Sequence, residues 1–524
     1  MFSVIESSCL QGVEAWPVRV ETDIRSGLPA LNIVGLPDAA VRESRERVRA
    51  AITSAGYNFP ARRITVNLAP ANHPKDGTDL DLAIALGIVA ADGAFDPDLS
   101  ASAMVVGELS LDGQLRPVRG VLPRALLARE LGKELIVPSA NSSEAVALRG
   151  LSIRRAATLG EIVSHFVGGS RLPLAEPAEP AEDDSVPPGA DLSAVRGQSE
   201  GKRAVMALAA GGHNVLLCGP PGTGKSLLAS CIPGILPPLT AEESLEVTAV
   251  YSAAGLLPRG CSRVRRRPFR APHHSSSDAA MVGGGPELRP GELTLAHRGV
   301  LFLDELAEFH RNVLEAMRAP LEDGALRLAR ARRALTLPAR CSLVAAMNPC
   351  PCGSYAGRGG RQHAATGGTG AGECRCLPGD TRRYQARVSG PLLDRFDALI
   401  GMAPISPDLF FADCHGPGSA AARALVIAAR ERQRRRYAEL PGVTTNAELP
   451  AAALEAAGGF GPREQTWLFD ELRGAAQMCS PRGIVRIARL ARTLADLGDR
   501  DAISREDVQE AAAMRFGASE LLST

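Results

Sequence analysis

Hydrophobic residues along this chain follow three different rhythms. Short apolar stretches at Ile64–Leu68, Met104–Leu109 and Leu135–Val137 have strand length, and apolar residues recur at helical spacing over Ala39–Ala55 and Val121–Leu131. The first part of the chain is therefore expected to be α+β. Farther on, Val215–Cys218, Val300–Leu303 and Ser342–Met347 are continuous apolar runs with helical stretches between them, the pattern of a parallel sheet covered on both faces. From about Pro441 the sequence is Ala-rich and reads as helix almost throughout. Arg171–Ala190 (RLPLAEPAEPAEDDSVPPGA) has no apolar period and is predicted to be a semi-stiff, solvated linker. Arg361–Gly372 (RQHAATGGTGAG) is low in complexity and predicted to be a loop. The divisions implied are residues 1–170, a linker over 171–190, an α/β core over 191–405 and a helical part over 406–524.

Composition agrees with several packed units. The 524 residues exceed what one core holds at roughly 150 residues per domain, and 45% hydrophobic with 22% charged residues lies in the globular range. A formal net charge of +1 means that contact with nucleic acid would have to come from local basic patches. Met1–Pro17 carries Glu6 and Glu14 and has no basic stretch before an apolar run, unlike a signal peptide. The longest apolar run, Leu82–Ala91, lies between aspartates and is far short of the ~20 residues that span a bilayer. The expectation is a cytoplasmic protein with no membrane partner, whose 11 cysteines stay reduced.

The most specific chemistry sits after Val215–Cys218. That strand runs into Gly219-Pro220-Pro221-Gly222-Thr223-Gly224-Lys225-Ser226, followed by Leu227, which is a phosphate-binding loop in the strand-to-helix setting it requires. Gly222 and Gly224 allow positive φ, so that backbone N–H groups can surround a β-phosphate, and the next helix begins there with its positive dipole end. Lys225 would neutralise β/γ oxygens, and Ser226 offers a hydroxyl to Mg²⁺. The cofactors expected are ATP and Mg²⁺.

Val300–Leu303 ends in Asp304 and Glu305, and carboxylates at strand ends are where sites of parallel sheets form. Asp304 suits the metal through water, and Glu305 suits polarising an attacking water. Asn348, after Ser342–Met347, fits either orientation of that water or a turn cap before Pro349. Arg395, within Ser389–Asp397 (SGPLLDRFD), fits either an arginine finger for a neighbouring subunit, worth ~10³ to 10⁵ in rate, or a surface ion pair with Asp394 or Asp397.

Four cysteines form two C-x-C pairs, Cys350 with Cys352 and Cys374 with Cys376. Structural Zn²⁺, free thiols, and another metal or redox use are the three readings of this set.

In this order the motifs resemble the AAA+ ATPases of the magnesium-chelatase-like ComM/YifB family over nearly the whole chain. The phrases that carry the resemblance are Gly197-Gln198, Ala210–Asn214 (AGGHN), Phe269–Ser275 (FRAPHHS), Gly291–Gly299 (GELTLAHRG) and Ser389–Asp397. The resemblance implies a homo-hexameric ring with an AAA+ core and a C-terminal helical lid. It implies Asn348 as sensor 1, Arg395 as the trans-acting finger, and Arg482 in Ser480–Ile484 (SPRGI) as sensor 2, with Arg486 one turn away. It further implies that Ala325–Arg340 (ALRLARARRALTLPAR) is a hairpin pointing into the ring channel, where Arg327, Arg330, Arg332 and Arg333 would track a DNA backbone without reading bases. The alternative is a solvated arginine face. Arg263–Arg270 (RVRRRPFR) is a second basic run that would add to that surface.

Residues 1–170 resemble a Lon-protease-like, ribosomal S5 domain 2-like domain of the ChlI type. Asp79 stands where Lon has its nucleophilic serine, and Leu122 where it has its catalytic lysine. A serine–lysine dyad needs both groups, so no peptidase activity is expected. The resemblance thus implies an Mg²⁺-dependent ATPase that translocates on DNA and drives branch migration in recombination or natural transformation. The rival readings are a chelatase-like or chaperone-type ATPase that remodels a protein partner.

Overall fold

The structure, a computed structural model, describes residues 1–148, 150–176, 189–258, 260–285, 289–330, 333–355, 374–411, 417–474 and 479–522. Arg332 and the predicted loop Arg361–Gly372 lie outside the described residues, as do residues 177–188 of the predicted linker. Among the described residues no helix is long and apolar enough to cross a membrane.

The first part builds a seven-stranded mixed sheet. Its strands are β1 (Phe2–Gln11), β2 (Glu14–Arg25), β3 (Ala30–Val34), β4 (Arg63–Ala69), β5 (Ala103–Val105), β8 (Glu134–Pro138) and β9 (Ile153–Ala156), in the order β3-β4-β2-β1-β5-β8-β9. A small antiparallel pair, β6 (Glu108–Leu109) and β7 (Leu115–Arg116), stands apart from it. Helices Ala39–Ser54 and Val121–Glu130 form where helical spacing predicts them. The apolar run expected to be too short for a membrane is the wholly buried helix Asp81–Ala91.

Two expectations are corrected here. Met104–Leu109 is not one strand, because the chain turns away at Gly107 between β5 and β6. There the backbone bonds to the segment opening the buried helix, Gly107 N–H to Asp79 O at 3.2 Å and Leu82 N–H to Gly107 O at 3.1 Å. The linker is also tied to the fold at its start. Arg155 N–H donates to Pro173 O and Ala175 N–H to Ile153 O, which adds this stretch to the β9 edge, and Leu172 is buried.

Asp79 forms an ion pair with Arg124, whose side chain is 0% exposed, and Leu122 is packed in the core. Removing one partner of a buried pair strands the other charge, at a cost of about 3–5 kcal/mol. Asp79→Ala is therefore expected to lower the thermal unfolding midpoint of the full chain, and Asp79→Asn to lower it less. Unchanged melting of both variants would show that the pair carries no stability.

The second part is a five-stranded, wholly parallel sheet. It contains β10 (Val215–Cys218), β11 (Phe269–Arg270), β12 (Val300–Leu303), β15 (Ser342–Met347) and β16 (Ala398–Gly401), ordered β11-β12-β15-β10-β16. β10, β12 and β15 coincide with the predicted apolar runs, and their continuity follows from burial on both faces. Val215, Leu217, Val300, Phe302, Val344 and Ala346 pack with helices Ser199–Gly211 and Pro481–Leu497. Leu216, Leu301, Leu303, Leu343 and Ala345 point into a second core. The α/β class of this region is thereby established.

β13 (Ala325–Arg330) and β14 (Arg333–Pro338) form the antiparallel hairpin predicted from the resemblance, with Leu326 opposite Leu337 and Arg330 opposite Arg333. Leu326, Leu335 and Leu337 enter the second core, and the turn between β1 and β2 sits on them: a Cβ on Gly12 would strike Leu335 and Leu337. The helical part begins earlier than Pro441, with Ser419–Arg436, which buries Ala422, Val426 and Ala429. Helices Pro462–Gly474, Pro481–Leu497 and Arg505–Phe516 follow.

Candidate nucleotide site

The C-terminal ends of β10, β12 and β15 bring the predicted residues together. Beyond β10 the chain makes an open loop in which Gly222 and Gly224 have φ of 79° and 87°. Among the described residues nothing lies within 4 Å of a Cβ built on either glycine. The Lys225 ammonium donates to Gly219 O at 2.7 Å, Pro220 O at 2.8 Å and Asn348 Oδ1 at 3.2 Å. Burial lowers its pKa, opposed by the nearby Asp304 carboxylate.

Ser226 Oγ donates to Asp304 Oδ2 at 2.7 Å, and Glu305 N–H donates to Asp304 Oδ1 at 3.0 Å. Hydroxyl and carboxylate thus converge at hydrogen-bond distance, a donor set of hard oxygens suited to Mg²⁺. Thr223 Oγ1 closes the loop onto Pro220 O at 2.9 Å. Leu227 lies on the following helix with its side chain partly exposed.

Three residues received no partner or role from the sequence. Gln198, at φ 52°, spans from Thr223 O to Ala403 O and braces the loop from behind. His274 Nδ1 lies 3.2 Å from Glu305 Oε2, while Glu305 itself has φ 53°, a left-handed backbone that costs ~1–3 kcal/mol at a non-glycine residue. The phrase Phe269–Ser275 pointed to this segment without assigning His274 a partner. Glu322, which no motif marks, holds both Arg395 and Arg482, the latter at 3.2 Å.

Arg395 and Arg482 therefore meet on Glu322, whereas Lys225 is held by Gly219 O, Pro220 O and Asn348 Oδ1. Arg395 also donates to Pro391 O at 3.1 Å, and its Nε is buried without a hydrogen-bond partner. The Arg482 side chain is 60% exposed. Arg486 is committed elsewhere, to Asp397 Oδ1 at 2.6 Å and to Arg395 O at 3.0 Å. Burial alone would raise the Asp397 carboxyl, but Arg486, His213 and the Asn214 amide hold it far below the usual carboxylate range. A cavity of about 630 Å³ opens beside these groups, lined by Glu322, Arg482, Arg486 and Asp397. Among the described residues none of the phosphate-loop residues lines it.

The basic segments divide. Arg327 is exposed on β13. In the second basic run, Arg267 pairs with Glu243 at 2.7 Å and Arg270 with Glu292 at 2.6 Å. Those two guanidinium groups are thus neutralised by carboxylates, which weakens the basic surface expected of Arg263–Arg270.

The four predicted cysteines also meet. Their sulfur atoms all lie within 4.8 Å of one another, with Cys350 to Cys352 at 3.4 Å, Cys350 to Cys374 at 3.7 Å and Cys352 to Cys374 at 3.6 Å.

Comparison with known proteins gives the family. The profile described as "Magnesium chelatase, subunit ChlI" matches residues 191–408, "Subunit ChlI of Mg-chelatase" matches 20–141, and "Magnesium chelatase, subunit ChlI C-terminal" matches 416–515. The chain is 42% identical over 519 residues to YifB of Salmonella typhimurium, covering 98% of this chain and 97% of that protein. It is 40% identical over 517 residues to competence protein ComM of Haemophilus influenzae, again covering 98% and 97%. A shorter stretch of 139 residues is 28% identical to DNA replication licensing factor mcm2 of Xenopus tropicalis, covering 26% of this chain and 13% of that protein. Joined to a parallel-sheet core that gathers Lys225, Ser226, Asp304 and Asn348, these matches establish that the chain belongs to the magnesium-chelatase-like AAA+ ATPase family of YifB and ComM.

Proposed function

We propose that the chain is the subunit of a homo-hexameric ring that hydrolyses ATP with Mg²⁺ and uses the energy to translocate on DNA, driving branch migration in recombination or natural transformation. The observation that carries this reading is the separation of two half-sites in one chain. Lys225, Asp304, Glu305 and Asn348 surround one centre, while Arg395 and Arg482 are gathered on Glu322 beside a different cavity. A head-to-tail contact between copies would join the two, and such contacts form a ring when the rotation from copy to copy closes.

Ser226 and Asp304 are the residues that would hold Mg²⁺, which when bound supplies charge neutralisation on the β- and γ-phosphate oxygens. Lys225 exchanges its three protein acceptors for phosphate oxygens, and the loop N–H groups orient the triphosphate. Glu305, released from His274, takes the proton of the attacking water, and Asn348 aligns that water. Arg395 from the neighbouring subunit offsets charge growing on the transferred phosphoryl group, with Arg482 beside it as sensor 2. In domain terms, 1–170 is a Lon-protease-like unit without its dyad, 191–405 the AAA+ core and 406–524 the lid.

DNA as the track is supported by the exposed Arg327 on a hairpin and by the kinship with a competence protein and a replication licensing factor. Arg332→Ala with Arg333→Ala is expected to weaken binding to single-stranded and four-way DNA. The slope of log affinity against log salt should fall by about one per phosphate contact removed. Fluorescence anisotropy across a salt series measures this, and an unchanged slope removes the hairpin from the DNA path. ATP-dependent migration of a four-way junction decides the function: its absence from active rings would favour the rival reading, an ATPase that remodels a protein partner.

A further inference from the structure

The cysteine cluster is built into the wall of the nucleotide site. Cys350 follows Asn348 by two residues and is fully buried at the end of β15. Gly353 has φ 82° and is pressed so closely on the phosphate loop that a Cβ there would collide with the Pro221 ring. Gln385 Nε2 pins the intervening Pro349 O at 2.8 Å. The loop bearing Cys350 and Cys352 thus touches Pro221 on one side and continues the Asn348 strand on the other.

The geometry of the cluster is that of a metal knuckle. Four sulfurs bound tetrahedrally to Zn²⁺ at ~2.3 Å stand about 3.8 Å apart, close to the 3.4, 3.6 and 3.7 Å found here. Backbone N–H groups of Ser354 and Arg375 point to the Cys352 sulfur, and that of Tyr355 to the Cys350 sulfur, as thiolate ligands require for their remaining lone pairs. Without a metal, four sulfurs at these distances gain only weak S–H contacts.

We propose that Cys350, Cys352, Cys374 and Cys376 bind one structural Zn²⁺ that clamps the loop against Pro221, so that metal occupancy sets the nucleotide affinity of the neighbouring phosphate site. The second half of this statement rests on the ATP-binding reading above. The ion closes a four-ligand site with no open position, so its role is mechanical. Loss of the metal frees the Gly353 turn, and misplacement of a phosphate-binding loop by an ångström weakens its contacts.

The test uses the full chain purified without added metal. Elemental analysis by plasma mass spectrometry is expected to give one zinc per chain, and Cys352→Ser with Cys376→Ser to give far less. These two thiols are chosen because Cys350 is in the core, and circular dichroism checks that the variant folds. Titration with a fluorescent ATP analogue is then expected to show affinity roughly tenfold weaker in the variant. Lys225→Ala separates the two halves, since it should lose nucleotide binding and keep its zinc. Zinc well below one per chain, or iron in its place, overturns the metal assignment. Full zinc in the parent with unchanged nucleotide affinity in a folded, zinc-free variant overturns the coupling.

Discussion

An Arg395→Ala variant is expected to hydrolyse ATP about a thousandfold more slowly than the parent chain, with a much smaller change in nucleotide affinity. Phosphoryl transfer spreads negative charge over the equatorial oxygens, and a guanidinium brought from a neighbouring subunit counters it only as it develops. In the single chain Arg395 rests on Glu322 and Pro391 O with its Nε unsatisfied, a buried donor awaiting a better acceptor. Truncation at Cβ should spare the fold, because Arg486 and Asn214 bind the Arg395 carbonyl and Glu322 keeps Arg482. The decisive measurement mixes Arg395→Ala with Lys225→Ala chains, each nearly inactive alone. Rings containing both have interfaces where an intact phosphate loop meets an intact arginine, so activity should reappear on mixing. Failure to complement, with assembly verified by light scattering, would mean that Arg395 serves only its own chain.

Much of this site was legible because its parts are local. The phosphate loop is eight consecutive residues, and Asp304 and Asn348 directly follow apolar runs whose only stable home is a sheet buried on both faces. The resemblance singled out Arg395 and the hairpin, and β13 pairs with β14 with Arg330 opposite Arg333. What stayed hidden depends on long-range contacts. Glu322 lies 73 positions from Arg395, and nothing in its own neighbourhood marks it as the residue that holds two arginines. His274 meets Glu305 across the ends of two strands, a juxtaposition created by β11 lying beside β12. The arginines of Arg263–Arg270 looked like a surface by composition alone, yet Glu243 and Glu292, on separate helices, neutralise two of them. Met104–Leu109 has the apolar content of one strand, and only the approach of the buried helix to Gly107 explains its break.

Lys225→Ala is expected to abolish measurable turnover, with a drop of at least ~10²–10³-fold, and to weaken ATP binding as well. The ammonium has three donors, and the chain supplies three acceptors, Gly219 O, Pro220 O and Asn348 Oδ1. This arrangement keeps a buried cation satisfied until a triphosphate arrives with stronger acceptors. It also links the phosphate loop to the end of β15 through Asn348. Lys225→Arg should rescue little, because a planar guanidinium does not fit acceptors arranged around a compact ammonium. Loss of the side chain leaves two partly buried carbonyls unpaired at about 1 kcal/mol each, so the variant should fold and melt close to the parent, which thermal unfolding checks. Steady-state ATPase and nucleotide titration of both substitutions then test the centre of the proposal: turnover at parental rate in a folded Lys225→Ala chain would mean that hydrolysis occurs elsewhere or not at all.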